Sequence, residues 1–548
     1  MKASDLFVKC LEAEGVEYIF GLPGEENADL MISLKKSPID FVLCRHEQTA
    51  AFMADVYGRL TGKAGVCLGT LGPGATNLVT GVADGNMDRA PMVVLTGQAD
   101  TKRMHKESHQ NMDVVRMFEP MTKWNYSIKD ATNIPEVVRK AFKLATMEKP
   151  GACHIELPED LAKNDVEGLQ PMEPRRVRRP GADHKAVKEA VELLKMAENP
   201  IILAGNGSIR KRATRQLRIL SEKTGVGVVS TFMGKGVLPR TDPRCLYTMG
   251  LQSRDHITCE MEKADLVIAI GYDLVEYHPR FWNVGRKKKV VHIDFEPAEV
   301  ELHYDPDVEI IADIADSLWS MNKELGDERL VPEDRYQAFR EIMTDDLAAH
   351  AGDETEGLIR PQKALWDVRE ALGPEDILLS DVGAHKMWIG RYFQCDEPNT
   401  CLISNGFCSM GFALPGAMAA KTVFPERRVL AVCGDAGVLM NIQDLETAAR
   451  RNLPIVVMVW EDKEYGLIKW KQTNTFGEHS DLGFTNPDWV KLAESFGCWG
   501  RRVEKSKDLA GTLEEAFGQD RPALIVIPID YSENTKLTER LGSITCKL

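Results

Sequence analysis

Short apolar runs recur along the chain, spaced so that one helical segment fits between each pair. In the first third they fall at 18–20, 41–44, 65–70, 92–96 and 153–157. Val42-Leu43-Cys44 and Met92-Val93-Val94-Leu95 are continuous rather than alternating, as in strands covered on both faces by helices. The middle third restarts with Pro200-Ile201-Ile202-Leu203-Ala204 and continues at 226–230, 265–271 and 290–295. A polar stretch over 322–351 predicts a helical connector. Pro361 suits a first helical position, and Gly373-Pro374 stops the helix that it opens. Runs at 377–380, 402–404, 429–433, 455–460 and 524–529 follow. This repeated rhythm predicts an α/β protein of three domains, each a mostly parallel sheet flanked by helices. The domains are expected at 1–165, 186–330 and 360–535. Between the first two lies a Pro- and Arg-rich segment, Pro174-Arg175-Arg176-Val177-Arg178-Arg179-Pro180, which reads as a solvated linker rather than a polyanion site.

Composition narrows the class. A length of 548 residues suits about three domains. The net charge of −15 and pI near 5.4 argue against nucleic-acid or anionic-membrane partners. No uncharged apolar run approaches the roughly 18 residues of a membrane span. Charge begins at once in Met1-Lys2-Ala3-Ser4-Asp5, so no signal peptide is expected. The 12 cysteines include no Cys-x-x-Cys pair, and Cys44, Cys67 and Cys433 sit in apolar runs. Buried reduced thiols explain them better than a disulfide framework or a zinc site. The expected location is cytoplasmic.

Candidate chemistry concentrates where apolar runs end. One run ends in Gly434-Asp435-Ala436-Gly437 and another in Glu461-Asp462-Lys463-Glu464. Two parallel strands ending so would bring both acids to the carboxyl edge of a sheet, where open α/β folds bind ligands. Asp435 and Asp462 are hard oxygen donors, and small residues beside Asp435 admit a phosphate to backbone N–H groups. That suits a magnesium–diphosphate site, although an ordinary turn with two solvated acids fits the same residues. No Walker A sequence accompanies it. Gly205-Asn206-Gly207 is half of a dinucleotide fingerprint without its third glycine, and reads as a tight strand-to-helix turn. Glu47, in Arg45-His46-Glu47, falls in the first turn of a helix expected over 48–59. A carboxylate there also stabilises a helix without any catalysis. Leu71-Gly72-Pro73-Gly74-Ala75-Thr76-Asn77 is a turn whose glycines allow close approach of a flat ligand, or simply a tight loop.

Taken together, these motifs resemble the thiamine-diphosphate-dependent acetolactate synthase family over essentially the whole chain. The family carries a glutamate in an Arg-His-Glu context, here Glu47, and a Gly-Pro-Gly-Ala-Thr-Asn turn, here Gly72 to Asn77. Its diphosphate motif matches Gly434-Asp435-Ala436 with Asp462. His109-Gln110-Asn111-Met112-Asp113, Asp381-Val382-Gly383-Ala384-His385, Ser404-Asn405-Gly406 and Met410-Gly411-Phe412 look like further family signatures. The resemblance implies thiamine diphosphate and Mg2+, the metal held by Asp435, Asp462 and the main-chain carbonyl of Glu464. It implies Glu47 as the acid–base residue on the aminopyrimidine ring and Gln110 near the substrate. Met410 would wedge between the cofactor's rings, with the carbonyl of Cys408 accepting from the 4′-amino group. Pro23, Gly72, Asn77, Gly383, Ala384, His385, Gly434, Ala436, Gly437, Tyr465, Gly466 and Leu467 complete the implied cofactor contacts.

The implied reaction condenses two pyruvates into 2-acetolactate with loss of CO2. The implied assembly is a homodimer or homotetramer whose sites form between subunits. Ile270-Gly271-Tyr272-Asp273-Leu274-Val275-Glu276-Tyr277-His278-Pro279 lacks the arginine pattern with which biosynthetic members hold FAD, so the catabolic, flavin-independent type is expected. Four departures bear on the site. Ala436 replaces a glycine and Asp462 an asparagine; Glu25 and Glu26 stand where relatives have small residues; Lys471 replaces a specificity tryptophan and is a candidate for the acceptor's carboxylate. A decarboxylase or another carboligase acting on 2-keto acids is the alternative. A non-enzymatic cofactor-binding relative is disfavoured by the presence of Glu47, Asp435 and Asp462.

Overall fold

The computed structural model describes residues 1–175, 177–250 and 256–534. Arg176 of the expected linker and residue 535 of the expected third domain lie outside them. The first sheet contains β1 (Tyr18–Gly21), β2 (Asp40–Leu43), β3 (Gly65–Gly69), β4 (Met92–Gln98), β5 (Trp124–Ser127) and β6 (Ala152–Pro158). The second contains β7 (Pro200–Ala204), β8 (Gly227–Ser230), β9 (Cys245–Thr248), β10 (Leu266–Ile270), β11 (Lys289–Asp294) and β12 (Val308–Ile311). The third contains β13 (Ile377–Ser380), β14 (Cys401–Ile403), β15 (Val429–Gly434), β16 (Val456–Glu461), β17 (Trp499–Arg502) and β18 (Ala523–Pro528). Pairing is parallel throughout these strands.

The strand orders are β2-β1-β3-β4-β6-β5, β12-β11-β10-β7-β8-β9 and β14-β13-β15-β16-β18-β17. The first and third orders are the same when counted from each domain's own first strand. Each sheet therefore has a point where the connections leaving two neighbouring strands head in opposite directions: between β1 and β3, between β7 and β10, and between β13 and β15. Loops leaving the carboxyl ends of neighbouring strands diverge there and open a crevice. Glu47, Asp435 and the Gly205-Asn206-Gly207 turn all follow strands in or beside these positions.

The apolar runs located every interior strand. β5, β9, β12 and β17 were not expected, and each lies at a sheet edge. The expected connector over 322–351 resolves into the end of helix Ile314–Leu325 and helix Gln337–Ala348. Among the described residues ten cysteines are free thiols, eight of them buried. Cys259, which is disulfide-bonded, departs from the expectation of reduced thiols.

Helix Glu47–Thr61 joins the first and third domains. Every residue from Thr49 to Gly58 is buried, so this helix has no solvent face to balance its core face. Small residues allow the crowding: a Cβ on Gly81 would lie 2.5 Å from that of Ala51, and one on Gly58 would lie 2.4 Å from the Pro91 carbonyl. On its other side the helix meets Phe412 and helix Ala413–Val423, with Phe52 and Phe412 edge-to-face at 5.7 Å. One continuous apolar cluster thus includes Phe52 and Val56 of the first domain with Leu379, Phe412 and Ala417 of the third. Truncating Phe412 to alanine is expected to cost about 3–5 kcal/mol, read as a lower urea midpoint by circular dichroism. An unchanged midpoint would show that the two domains do not depend on this contact.

Candidate active site

The first crevice is built by the loops after β1 and β3 and by the helix start after β2. His46 caps helix Glu47–Thr61, its Nδ1 accepting from the Gln48 N–H at 3.1 Å. Glu47 is buried at 8% exposure, and the Asn77 amide donates to its Oε2 at 2.9 Å. Asn77 sits in the first turn and a half of helix Pro73–Met87, so two helix beginnings converge on one carboxylate. Gly72 has φ +51°, and a Cβ on it would lie 2.7 Å from the carbonyl of Gln110. Gln110 itself is exposed and held at φ 55°, in the sparsely populated left-handed region. Pro23 is exposed on the β1 loop. Next to it, Glu26 accepts from the Thr70 hydroxyl at 3.1 Å, while Glu25 points into solvent. One of the two unexpected carboxylates is therefore engaged.

The second crevice lies between β13 and β15. Asp435, 1% exposed, begins the short helix Asp435–Val438. Its Oδ2 accepts from the Lys463 N–H at 2.7 Å, the Asp462 N–H at 3.2 Å and the Asn486 amide at 2.7 Å. Ala436 donates its N–H to Asp435 Oδ1 at 3.0 Å. Lys463 takes φ 61°, which turns the strand end so that two successive N–H groups face one carboxylate. Burial, then the adjacent Asp435 and Glu464, push Asp462 up to about 8. Glu464 turns its side chain to Lys469, at 2.8 Å, and its carbonyl accepts from the Gly466 N–H at 2.9 Å. Tyr465 caps helix Gly466–Phe476 and lays its ring against Phe484, while Leu467 packs on the third domain's core. A cleft of about 720 Å³ opens beside Asp462, Glu464 and Gly466.

His385, in the first turn of helix Ala384–Tyr392, closes this crevice. It is 2% exposed, and burial pushes its imidazole down to about 3, so the ring is neutral. Among the described residues its Nε2 has no hydrogen-bond partner. A Cβ on Gly383 would lie 2.7 Å from its Cε1, and one on Gly434 would lie 3.2 Å away. Asp381, pushed up to about 7 by burial, accepts from the Gly411 N–H at 2.8 Å and lies where a Cβ on Gly437 would fall, at 2.5 Å. Gly411 follows Met410, which is half-buried; Cys408, two residues earlier, is exposed and takes φ 57°.

The site residues thus form two groups. Glu47, Asn77, Gly72 and Gln110 belong to the first crevice; Asp435, Asp462, Glu464 and His385 belong to the second. Among the described residues no hydrogen bond or ion pair links Glu47 or Asn77 to Asp435 or Asp462. Asn486, which holds Asp435, was not found from the sequence, because a lone Asn before Pro487 carries no motif. Trp470 is 6% exposed and packs in the core, whereas its neighbour Lys471 is exposed.

Comparison with known proteins identifies the family. The thiamine pyrophosphate enzyme N-terminal TPP binding domain matches residues 1–117, the central domain 187–321 and the C-terminal TPP binding domain 381–527. Acetolactate synthase from Bacillus subtilis (strain 168) is 34% identical over 98% of this chain and 94% of its own length. The catabolic acetolactate synthase of Raoultella terrigena is 35% identical over 98% of this chain and 97% of its own. The chain belongs to the thiamine-diphosphate-dependent acetolactate synthase family. A probable acetolactate synthase large subunit from Methanocaldococcus jannaschii is 34% identical over 100% of this chain and 95% of its own.

The residues present fit the family's cofactor. A neutral imidazole with an unpartnered nitrogen suits a diphosphate oxygen, and glycines 383, 434, 437 and 466 leave the room that side chains would fill. Among the described residues no three His, Cys, Asp or Glu side chains form a preformed metal cage. Two carboxylates that share a cation with bound phosphates are the usual magnesium arrangement.

The central crevice does not fit FAD in the same way. Glu276, on the loop after β10, accepts from the Asn206 N–H at 3.0 Å, the Asp273 N–H at 3.0 Å and the Thr231 hydroxyl. Its carboxylate takes the backbone donors that a dinucleotide phosphate would use. Asp294, at the end of β11, pairs with Lys149 of the first domain at 3.0 Å. Burial, with Asp273 nearby, pushes Glu276 up to about 8 from 4.5. The native state therefore holds this proton more tightly than the unfolded chain. The proton's stabilising contribution is complete below about pH 4.5 and is lost as pH rises towards 8. In Glu276→Gln, an amide oxygen still accepts from Asn206 and Asp273 while its nitrogen donates to Thr231. The variant should fold and show a shallower fall in thermal midpoint between pH 5 and 8, by up to one proton. An unaltered slope would show that Glu276 does not carry the proton.

Proposed function

We propose that this chain is an acetolactate synthase that condenses two molecules of pyruvate into 2-acetolactate and CO2. The observation that carries this reading is the pair of like crevices. One holds a buried acid oriented by an amide; the other holds two carboxylates and an unpartnered imidazole nitrogen. A ligand with a heterocycle at one end and a diphosphate at the other fits such a pair. Full-length relatives bearing the acetolactate synthase name support the choice of reaction.

Thiamine diphosphate bound there would supply a carbon nucleophile and an electron sink for loss of CO2 from a 2-keto acid. The Glu47 carboxyl exchanges a proton with the pyrimidine ring nitrogen, and Asn77 holds its orientation. The Cys408 carbonyl accepts from the 4′-amino group, and Met410 keeps the two rings together. Asp435, Asp462 and the Glu464 carbonyl would hold Mg2+. Asp462, which holds a proton beside Asp435, would release it to solvent as the cation takes its place. His385 and the backbone of residues 383–384, 434–437 and 465–467 surround the diphosphate, with Pro23 at the heterocycle end. Gln110 faces the substrate, and Lys471 receives the carboxylate of the second pyruvate.

A homodimer, alone or paired into a tetramer, belongs to this reading, since among the described residues no hydrogen bond or ion pair joins the two residue groups within one chain. Apolar side chains stand exposed around the Cys408 turn: Met87 at 41%, Phe407 at 45% and Met440 at 43%. Met87 abuts Gly406 and Met440 abuts Gly411, so they share one face suited to a second copy. Among the described residues no helix is long and apolar enough to cross a membrane. With the acidic charge, this supports a cytoplasmic location.

Incubation with pyruvate, Mg2+ and thiamine diphosphate is expected to yield acetolactate. Acetaldehyde without acetolactate would identify a simple decarboxylase instead. Glu47→Gln should lower kcat by about 10²–10⁴, and Asp435→Ala should abolish Mg2+-dependent turnover. Mixing these two inactive variants under exchange conditions should restore activity, because a mixed dimer contains one intact site. Failure to recover any activity would place each site within a single chain.

A further inference from the structure

The turn from Ser404 to Met410 carries the Cys408 carbonyl and the Met410 side chain, yet most of what fixes it comes from the first domain. Helix Pro73–Met87 presents Asp84 and is capped by Asp88, both buried. Asp84 Oδ1 accepts from the Ser404 hydroxyl at 2.6 Å, and that hydroxyl oxygen accepts from the Ser409 N–H at 2.8 Å. Asp88 accepts from the Asn405 N–H at 2.8 Å and from the Gly406 N–H at 2.7 Å. Arg59, 3.6 Å from Asp88, donates both terminal nitrogens to the Ile403 carbonyl at 3.2 Å. Within the third domain, Lys386 donates to the Ser404 carbonyl at 2.9 Å, and the Cys408 thiol donates to the Asn405 carbonyl at 2.8 Å.

These bonds do more than join two domains. Asp84 reaches Ser409 through one hydroxyl, so a single carboxylate sets both sides of Cys408, which is held at φ 57°. A left-handed non-glycine residue persists only where its surroundings over-determine it. Here the determination comes from outside the turn and reaches its backbone directly. Phe407 is left projecting between two anchored ends, while Lys386 of the third domain donates to the Cys408 sulfur at 3.2 Å.

We propose that Asp84 and Asp88, acting through Ser404, are positioning residues that aim the Cys408 carbonyl at the heterocycle end of the cofactor. The proposal rests on the thiamine diphosphate reading above. It assigns the clamp to one end of the ligand only. Asp435, Asp462 and His385 hold the other end and make no contact with these acids.

That asymmetry provides the test. Ser404→Ala removes the hydroxyl relay with little change of volume, and Asp84→Asn keeps one acceptor oxygen for Ser404. Binding is measured for thiamine diphosphate with Mg2+ and, separately, for inorganic diphosphate with Mg2+, which engages the metal end alone. Ser404→Ala should weaken thiamine diphosphate binding and lower kcat by about tenfold each, with inorganic diphosphate binding and KM for pyruvate unchanged. Asp84→Asn should recover most of that loss relative to Asp84→Ala, and Asp84→Ala with Ser404→Ala should be markedly non-additive. Equal weakening of both ligands, or no weakening, would overturn the clamp and leave a plain domain contact. Wild-type protein that binds inorganic diphosphate with Mg2+ but not thiamine diphosphate would instead overturn the functional reading beneath it.

Discussion

The burial of helix Glu47–Thr61 is the constraint on which the rest of the molecule depends. A helix with no solvent face must be matched on every side. The first domain supplies its sheet and helix Pro73–Met87; the third supplies Phe412 and helix Ala413–Val423. Glu47 inherits its position from this packing, because a carboxylate in the first turn of an immobile helix is itself immobile. Asn77 is placed by the adjacent helix. A precise acid is therefore a by-product of an apolar contact that needs small residues at its closest points.

The three sheets show how one topological rule serves different ends. In each, the connections leaving two neighbouring strands head in opposite directions, and that divergence opens a crevice at their carboxyl ends. In the first and third domains those crevices are lined by unpartnered or convergent polar groups and by glycines that leave space. In the second, Glu276 answers the same backbone donors from within the chain. The central domain then acts as a packing partner, reaching the first domain through the pairs that Lys149 makes with Asp273 and Asp294.

Much of this was legible in the sequence, for physical reasons that also explain the gaps. Interior strands are covered on both faces and so read as unbroken apolar runs. The four that escaped, β5, β9, β12 and β17, lie at edges where one face or one side meets solvent; Trp499-Gly500-Arg501-Arg502 carries two exposed arginines. Asp435, Asp462 and Glu47 were visible because each ends or follows an apolar run. Asp84 and Asp88 were not, since acids within or at the end of a helix usually denote a solvated face, and only the tertiary fold shows them buried against Ser404 and Asn405. The carboxylate of Glu276 was visible as a residue but not as an internal ligand, for the loop that returns it to Asn206 leaves no pattern.

The same helix has a consequence for the order of events during synthesis. Each sheet is assembled from one contiguous segment, so the first domain can close while the chain is still being made. Its helix Glu47–Thr61, however, keeps the face that meets Phe52's partner bare until helix Ala413–Val423 has emerged. At typical rates of about 5–20 residues per second the ribosome needs roughly 20–70 s to cover that distance. For that interval the nascent protein carries Glu47 on an apolar surface with no counterpart. The chain is most in need of a chaperone in the stretch of its life between its first domain and its third.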